Sequence, residues 1–148
     1  MSSVSLVTQQ TIYTMSFFSA NYTSSSINIG LLLLRAGMCI MMIPHGYDKL
    51  VNFGQYKGQF INFLGLGPEV SLALCVFAEF FCSLFVLFGL FTRAATIPLI
   101  ISTSVATFIA HGGKIFGEGE HSAMYLVVFL TLLVTGPGKY SVDGMLRK

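Results

Sequence analysis

The sequence predicts an all-α fold, a four-helix transmembrane bundle with a short interfacial helix between the first and second spans. Two observations predict it. Hydrophobic residues make up 54% of the 148-residue chain and charged residues only 9%, against roughly 25% charged in an average soluble domain. The apolar residues also fall into four runs, about 27–50, 68–90, 94–111 and 122–136, and a spanning helix needs about 20 such residues. The last two runs are short, so tilt or local thinning of the bilayer is expected there. A soluble four-helix protein would carry several Lys or Glu on each helix, and these runs do not. A formal charge of +2, scattered along the chain, gives no footprint for nucleic acid.

Residues 1–26 form a polar tail rich in Ser and Thr, followed by one membrane domain over 27–148. No Lys or Arg precedes Arg35, so the basic start of a cleaved signal peptide is missing, and Met15 is an alternative start. The first span ends in Pro44-His-Gly-Tyr-Asp-Lys-Leu50. Proline removes a helical hydrogen bond and crowds the preceding turn, which kinks the helix and aims His45 and Lys49 inward. Phe53, Tyr56, Phe60, Phe63 and Leu64 then recur at helical spacing, which predicts a short helix in the interface. Pro68 opens the second span, Gly89-Leu-Phe-Thr-Arg93 forms a hairpin, and Gly136-Pro-Gly138 ends the fourth span. In the third span, Ser102-Thr-Ser-Val-Ala-Thr107 reads as hydroxyls that bond their own helix and permit close packing.

Counting basic residues orients the bundle. Arg93, Lys139, Arg147 and Lys148 lie at the end holding both termini, against Lys49, Lys57 and Lys114 at the other, which favours cytoplasmic termini. The expected location is the inner (cytoplasmic) membrane, with the chain passing through it several times.

Two charges lie in the interior of the apolar runs, Arg35 in the first and Glu79 in the second. A charge near the bilayer centre costs about 2.5–3.5 kcal/mol on insertion scales, so the two are expected to form an intramembrane ion pair. His45, Lys49, His111 and Glu120 fall at helix ends on one face and form the expected ligand-binding rim. With Tyr47 they supply the donors and acceptors that a quinone headgroup needs beside an apolar channel. Cys39, Cys75 and Cys82 contain no Cys-x-x-Cys spacing and read as small packing residues. His45 and His111 could face one another across a haem, but Pro44, Gly46 and Lys49 argue for a solvated rim. His111, Glu118, Glu120 and His121 lack paired metal-ligand spacing, so no metal is expected. No catalytic residue and no certain cofactor is assigned, and the ligand expected at the rim is a quinone or a lipid.

The order Arg35, His45-Gly-x-x-Lys49-Leu50, Gly65-Leu66-Gly67, Glu79, Gly89-Leu90-x-Thr92-Arg93-Ala94-Ala95, His111, Glu120 and Gly136-Pro-Gly-Lys-Tyr-Ser-Val-Asp143 resembles the DoxX family of small four-helix membrane proteins. The resemblance covers about residues 28–143 and departs from the family at His121 and in the loop before it, which lacks an Asp-Pro pair. Family members are described as a small subunit of an archaeal terminal quinol oxidase, as part of a thiosulfate:quinone oxidoreductase, and as a partner in a membrane oxidoreductase complex. The resemblance therefore implies an accessory subunit of a redox or respiratory complex, embedded in lipid beside other membrane subunits or further copies of itself. A small-solute or proton-handling protein and a purely structural assembly subunit are the competing readings. No electron carrier is visible in the chain, so binding or docking, rather than oxidoreduction by this protein alone, is the expected role.

Overall fold

Where the polar tail gives way to the first apolar run, Thr23 caps a helix by accepting a hydrogen bond from the Ser26 backbone N–H at 3.2 Å. A computed structural model describes residues 22–146, and helix α1 runs over Ser24–Val51. Residues 1–21, including Met15, and the basic pair Arg147 and Lys148 lie outside the described residues. Ser24–Ser26, at the end of the expected tail, already belong to α1. Pro44 sits inside α1 without ending it.

The expected interfacial helix is cut to a single turn, α2 (Phe53–Tyr56), followed by turns and a 3₁₀ turn at Phe63–Gly65. Side chains compete for the backbone here. Asn62 Oδ1 accepts from Gly67 N at 2.8 Å and Ser71 Oγ accepts from Phe63 N at 3.0 Å, pinning residues 62–67 as a loop against the next helix. The Tyr56 hydroxyl donates to Asp48 Oδ2 at 2.9 Å, and that hydrogen bond, more than the carboxylate's charge, raises the Tyr56 pKa above its ordinary value.

Helix α3 (Pro68–Phe88) begins on its proline, as expected. It widens into a π-type turn over Phe77–Cys82. Helix α4 (Thr92–Ala110) does the same over Val105–Ala110. Helix α5 (Glu120–Thr135) stops at Gly136, and a short α6 (Val142–Leu146) follows. Helices α1, α3 and α4 are long and apolar enough to cross a membrane, while α5 is a shorter apolar helix of 16 residues. Among the described residues no strand is present. All four long helices meet in one core built from Cys39, Met42, Cys82, Val86, Leu99, Tyr125, Phe129 and Leu132.

The up-and-down path gives the bundle two ends. The basal end holds the start of α1, the Gly89–Phe91 hairpin and the tail after α5, and the loop end holds residues 52–67 and 111–119. In the third span the expected packing role of the hydroxyls holds for two residues. Thr103 Oγ1 donates to Leu99 O and Thr107 Oγ1 to Thr103 O, each at 2.7 Å. Thr107 also reaches Ser122 on α5 at 3.0 Å.

Candidate functional site

The expected Arg35–Glu79 pair does not form, because the antiparallel register of α1 and α3 separates the two residues. Arg35 lies beside Gly89, where an added Cβ would stand 2.8 Å from its guanidinium, whereas Gly46 abuts Phe80 and Lys49 meets Glu79. Gly89, which caps α3, lies ten positions beyond Glu79, about 15 Å at 1.5 Å per residue.

Arg35, 2% exposed, is held at the basal end by the chain's own tail through its two terminal nitrogens, while its Nε is buried without a partner. It donates to Pro137 O and Tyr140 O, both at 2.7 Å. Asp143 ties the same tail to the start of α4 by accepting from Phe91 N and Thr92 N at 2.9 Å, and its own N–H donates to Gly89 O. Arg93 donates to Val134 O at 3.2 Å, near the C-terminal end of α5, where a cation complements the free carbonyls. The motif Gly136 to Asp143 is thus a clasp that closes the bundle.

Glu79 takes part in a different arrangement. Its Oε2 pairs with Lys49 Nζ at 2.6 Å, and its Oε1 accepts from Ser102 Oγ at 3.1 Å and from Cys75 Sγ at 3.2 Å. Three side chains, one each from α1, α3 and α4, therefore converge on one carboxylate. Gly46 makes this possible. An added Cβ there would lie 2.5 Å from Phe80 N and 2.6 Å from Glu79 C, so only glycine lets α1 lie against the π-type turn that carries Glu79. Lys49 follows one turn later and reaches the carboxylate.

This centre forms part of the wall of a cavity of about 500 Å³ between α1, α3, α4 and the segment 60–63. Lys49, Ser71, Cys75, Glu79, Ser102 and His111 are its polar lining, and aromatic and aliphatic residues supply most of the rest. Both wide turns border it, through Phe77, Ala78 and Glu79 on one side and Val105, Ala106 and Ala110 on the other. Such turns insert an extra residue into a helix and recur at functional sites.

The four expected rim residues are therefore divided. Lys49 and His111 line the cavity, and His45 and Glu120 do not. His45, although four residues before Lys49, packs edge-to-face against Tyr125 on α5, with ring centroids 6.5 Å apart. Glu120 is exposed in the first turn of α5, where a carboxylate complements the helix dipole. Tyr47 also points elsewhere, its ring lying 6.0 Å from that of Phe80.

Cys75 and Ser102 are the site residues that the sequence reading passed over. Cys75 and Glu79 are four apart on one helix, hence on one face, and that spacing was a usable signal. Ser102 begins the hydroxyl run but lies beside, not on, the Thr103–Thr107 face that meets α5. Cys39 and Cys82 are buried in the core as packing residues, and Cys75 is half-buried.

Apolar helices of spanning length around buried charges define a small polytopic membrane protein. The chain belongs to the DoxX family, whose family model matches residues 30–112. It is also similar to the inner membrane protein YqjF of Escherichia coli (strain K12), with 32% identity over 127 residues, covering 82% of this chain and 95% of the relative. No solved structure gives a significant match.

Proposed function

We propose that this protein is an accessory membrane subunit of a redox or respiratory complex, and that it holds a quinone or lipid headgroup in the cavity beside Glu79. One observation carries the reading: the cavity is apolar over most of its wall, yet a hydrogen-bonded Lys49–Glu79 pair with Ser102 and Cys75 faces it. Ligand sites combine an apolar lining with a few fixed polar groups in this way. Glu79 accepts, Lys49 and Ser102 donate, and His111 can do either, which suits a headgroup whose carbonyl oxygens become hydroxyls on reduction. Similarity to an inner membrane protein of Escherichia coli supports an inner-membrane location, and the count of basic residues supports cytoplasmic termini. The redox context is supported by the resemblance of the motifs to family members described in such complexes.

The test is extraction of the protein in a mild detergent and mass spectrometry of the lipophilic molecules it retains. Wild type and His45→Ala should carry the same quinone or lipid, and the paired change Lys49→Met with Glu79→Leu should lose it while keeping its helix content. Retention by the paired variant, or a wild type that carries nothing, would overturn the reading.

A further inference from the structure

We infer that the cavity is entered sideways, from the hydrocarbon of the bilayer between α3 and α4, and that its ligand is a tailed amphiphile with an uncharged headgroup. This rests on the proposed binding role of the cavity and adds the class of ligand and its route. Three residues of the apolar lining, Leu74, Phe77 and Ile101, also stand on the outer surface of the bundle, each 48% exposed. Leu74 and Phe77 belong to α3 and Ile101 to α4, both of spanning length. The outer surface at that point faces lipid, so a hydrocarbon chain can lie across the wall of the cavity without meeting water.

The loop end is more restricted. Phe60, Ile61 and Phe63 line the cavity from that side, and the segment is held by the bonds of Phe63 N to Ser71 Oγ and of Gly67 N to Asn62 Oδ1. A water-soluble solute would have to pass this aromatic segment, while a lipid-soluble one would not. Small residues on the facing walls, Ala78, Ala106 and Ala110, leave space between the helices at the level of the two wide turns.

Charge selects the headgroup. Lys49 and Glu79 are paired at 2.6 Å, so the polar wall carries two opposite charges that cancel. An anionic headgroup would have to draw Lys49 from Glu79 and leave a buried carboxylate without its partner, which is costly where little water competes. An uncharged headgroup can take hydrogen bonds from Lys49 and Ser102 with the pair intact.

The chain contains no tryptophan, so Ile101→Trp installs a single reporter at the opening on a lipid-facing position. In nanodiscs, its fluorescence should be quenched by phosphatidylcholine brominated on the acyl chain and not by iodide in the buffer. Binding is then read by stopped flow with three probes: decylubiquinone, its analogue without the tail, and phosphatidylglycerol. For the wild-type wall, followed by quenching of tyrosine emission by decylubiquinone and by competition of the other two against it, decylubiquinone should bind at least tenfold more tightly than either of the others. Leu74→Trp with Ile101→Trp should slow its association at least tenfold. Equal affinity for the tail-less analogue, tighter binding of phosphatidylglycerol, or an unchanged association rate in the double variant would overturn the side entrance while leaving a binding cavity. Failure of all three probes to bind wild type would overturn the binding role itself.

Discussion

Arg35 and Glu79 are both buried charges in apolar helices, and the surroundings of each give it a different task. Arg35 spends its hydrogen bonds on two backbone carbonyls of its own chain, at a place where the tail, the hairpin and the start of α4 are laced together. Glu79 is bound to side chains alone, from three helices, and those side chains border a cavity. Backbone acceptors are held in place by the fold. Side-chain partners can be shared or exchanged, so a buried charge ringed by side chains beside a cavity is the one to associate with binding. The contrast separates a clasp from the proposed site within one small bundle.

The largest expected effect tests the clasp. Arg35→Leu removes two hydrogen bonds from a charged donor, each worth about 1.5–3 kcal/mol, and leaves Pro137 O and Tyr140 O without that donor. A loss of about 3–5 kcal/mol is expected in a detergent unfolding series, and protein that still folds should keep its ligand.

Next is the pair at the site. Breaking a fully buried ion pair costs about 3–5 kcal/mol, and with Lys49 one-quarter exposed the expected cost of Glu79→Gln falls to about 2–3 kcal/mol. The paired change Lys49→Met with Glu79→Leu should recover most of that, because no charge is left alone. Equal stability of the single and paired variants would show that the two side chains are not coupled.

Gly46→Ala tests how the site is positioned. The new Cβ would press on the backbone at Glu79 and Phe80, at an overpacking cost of about 1–3 kcal/mol. It should also weaken ligand retention by displacing Lys49. A variant that binds normally would detach the helix contact from the site.

The smallest of these effects is expected for Asp143→Ala, which removes the acceptor for two N–H groups at the start of α4. Loss of a cap costs about 0.5–2 kcal/mol, readable as a lower unfolding midpoint with no change at the cavity.

The spans were legible in the sequence because the length and apolarity of a run decide whether it can cross a bilayer, and Pro68 and Gly136 mark their ends within a residue or two. The partners of the buried charges were not legible. Pairing across helices depends on register, and the register here is set by one close approach, Gly46 against the widened turn at Glu79. The apolar run that holds that turn carries no visible mark of it. For the same reason His45 and Lys49, four apart, were expected on one face and instead turn to α5 and α3. The aromatic stripe from Phe53 to Leu64 has helical spacing, yet side-chain bonds from Asn62 and Ser71 hold its latter part as a loop.

The division between clasp and site is tested most directly by ligand-induced thermal stabilisation, measured side by side on wild type, Arg35→Lys, and Lys49→Met with Glu79→Leu. A ligand that binds only the folded state adds about 2.7 kcal/mol at a hundredfold excess over its Kd. With decylubiquinone as the probe, wild type and Arg35→Lys should gain the same upward shift in Tm from different starting points, and the paired variant should gain none. An equal shift in the paired variant, or loss of the shift in Arg35→Lys alone, would contradict the assignment of binding to the Glu79 centre.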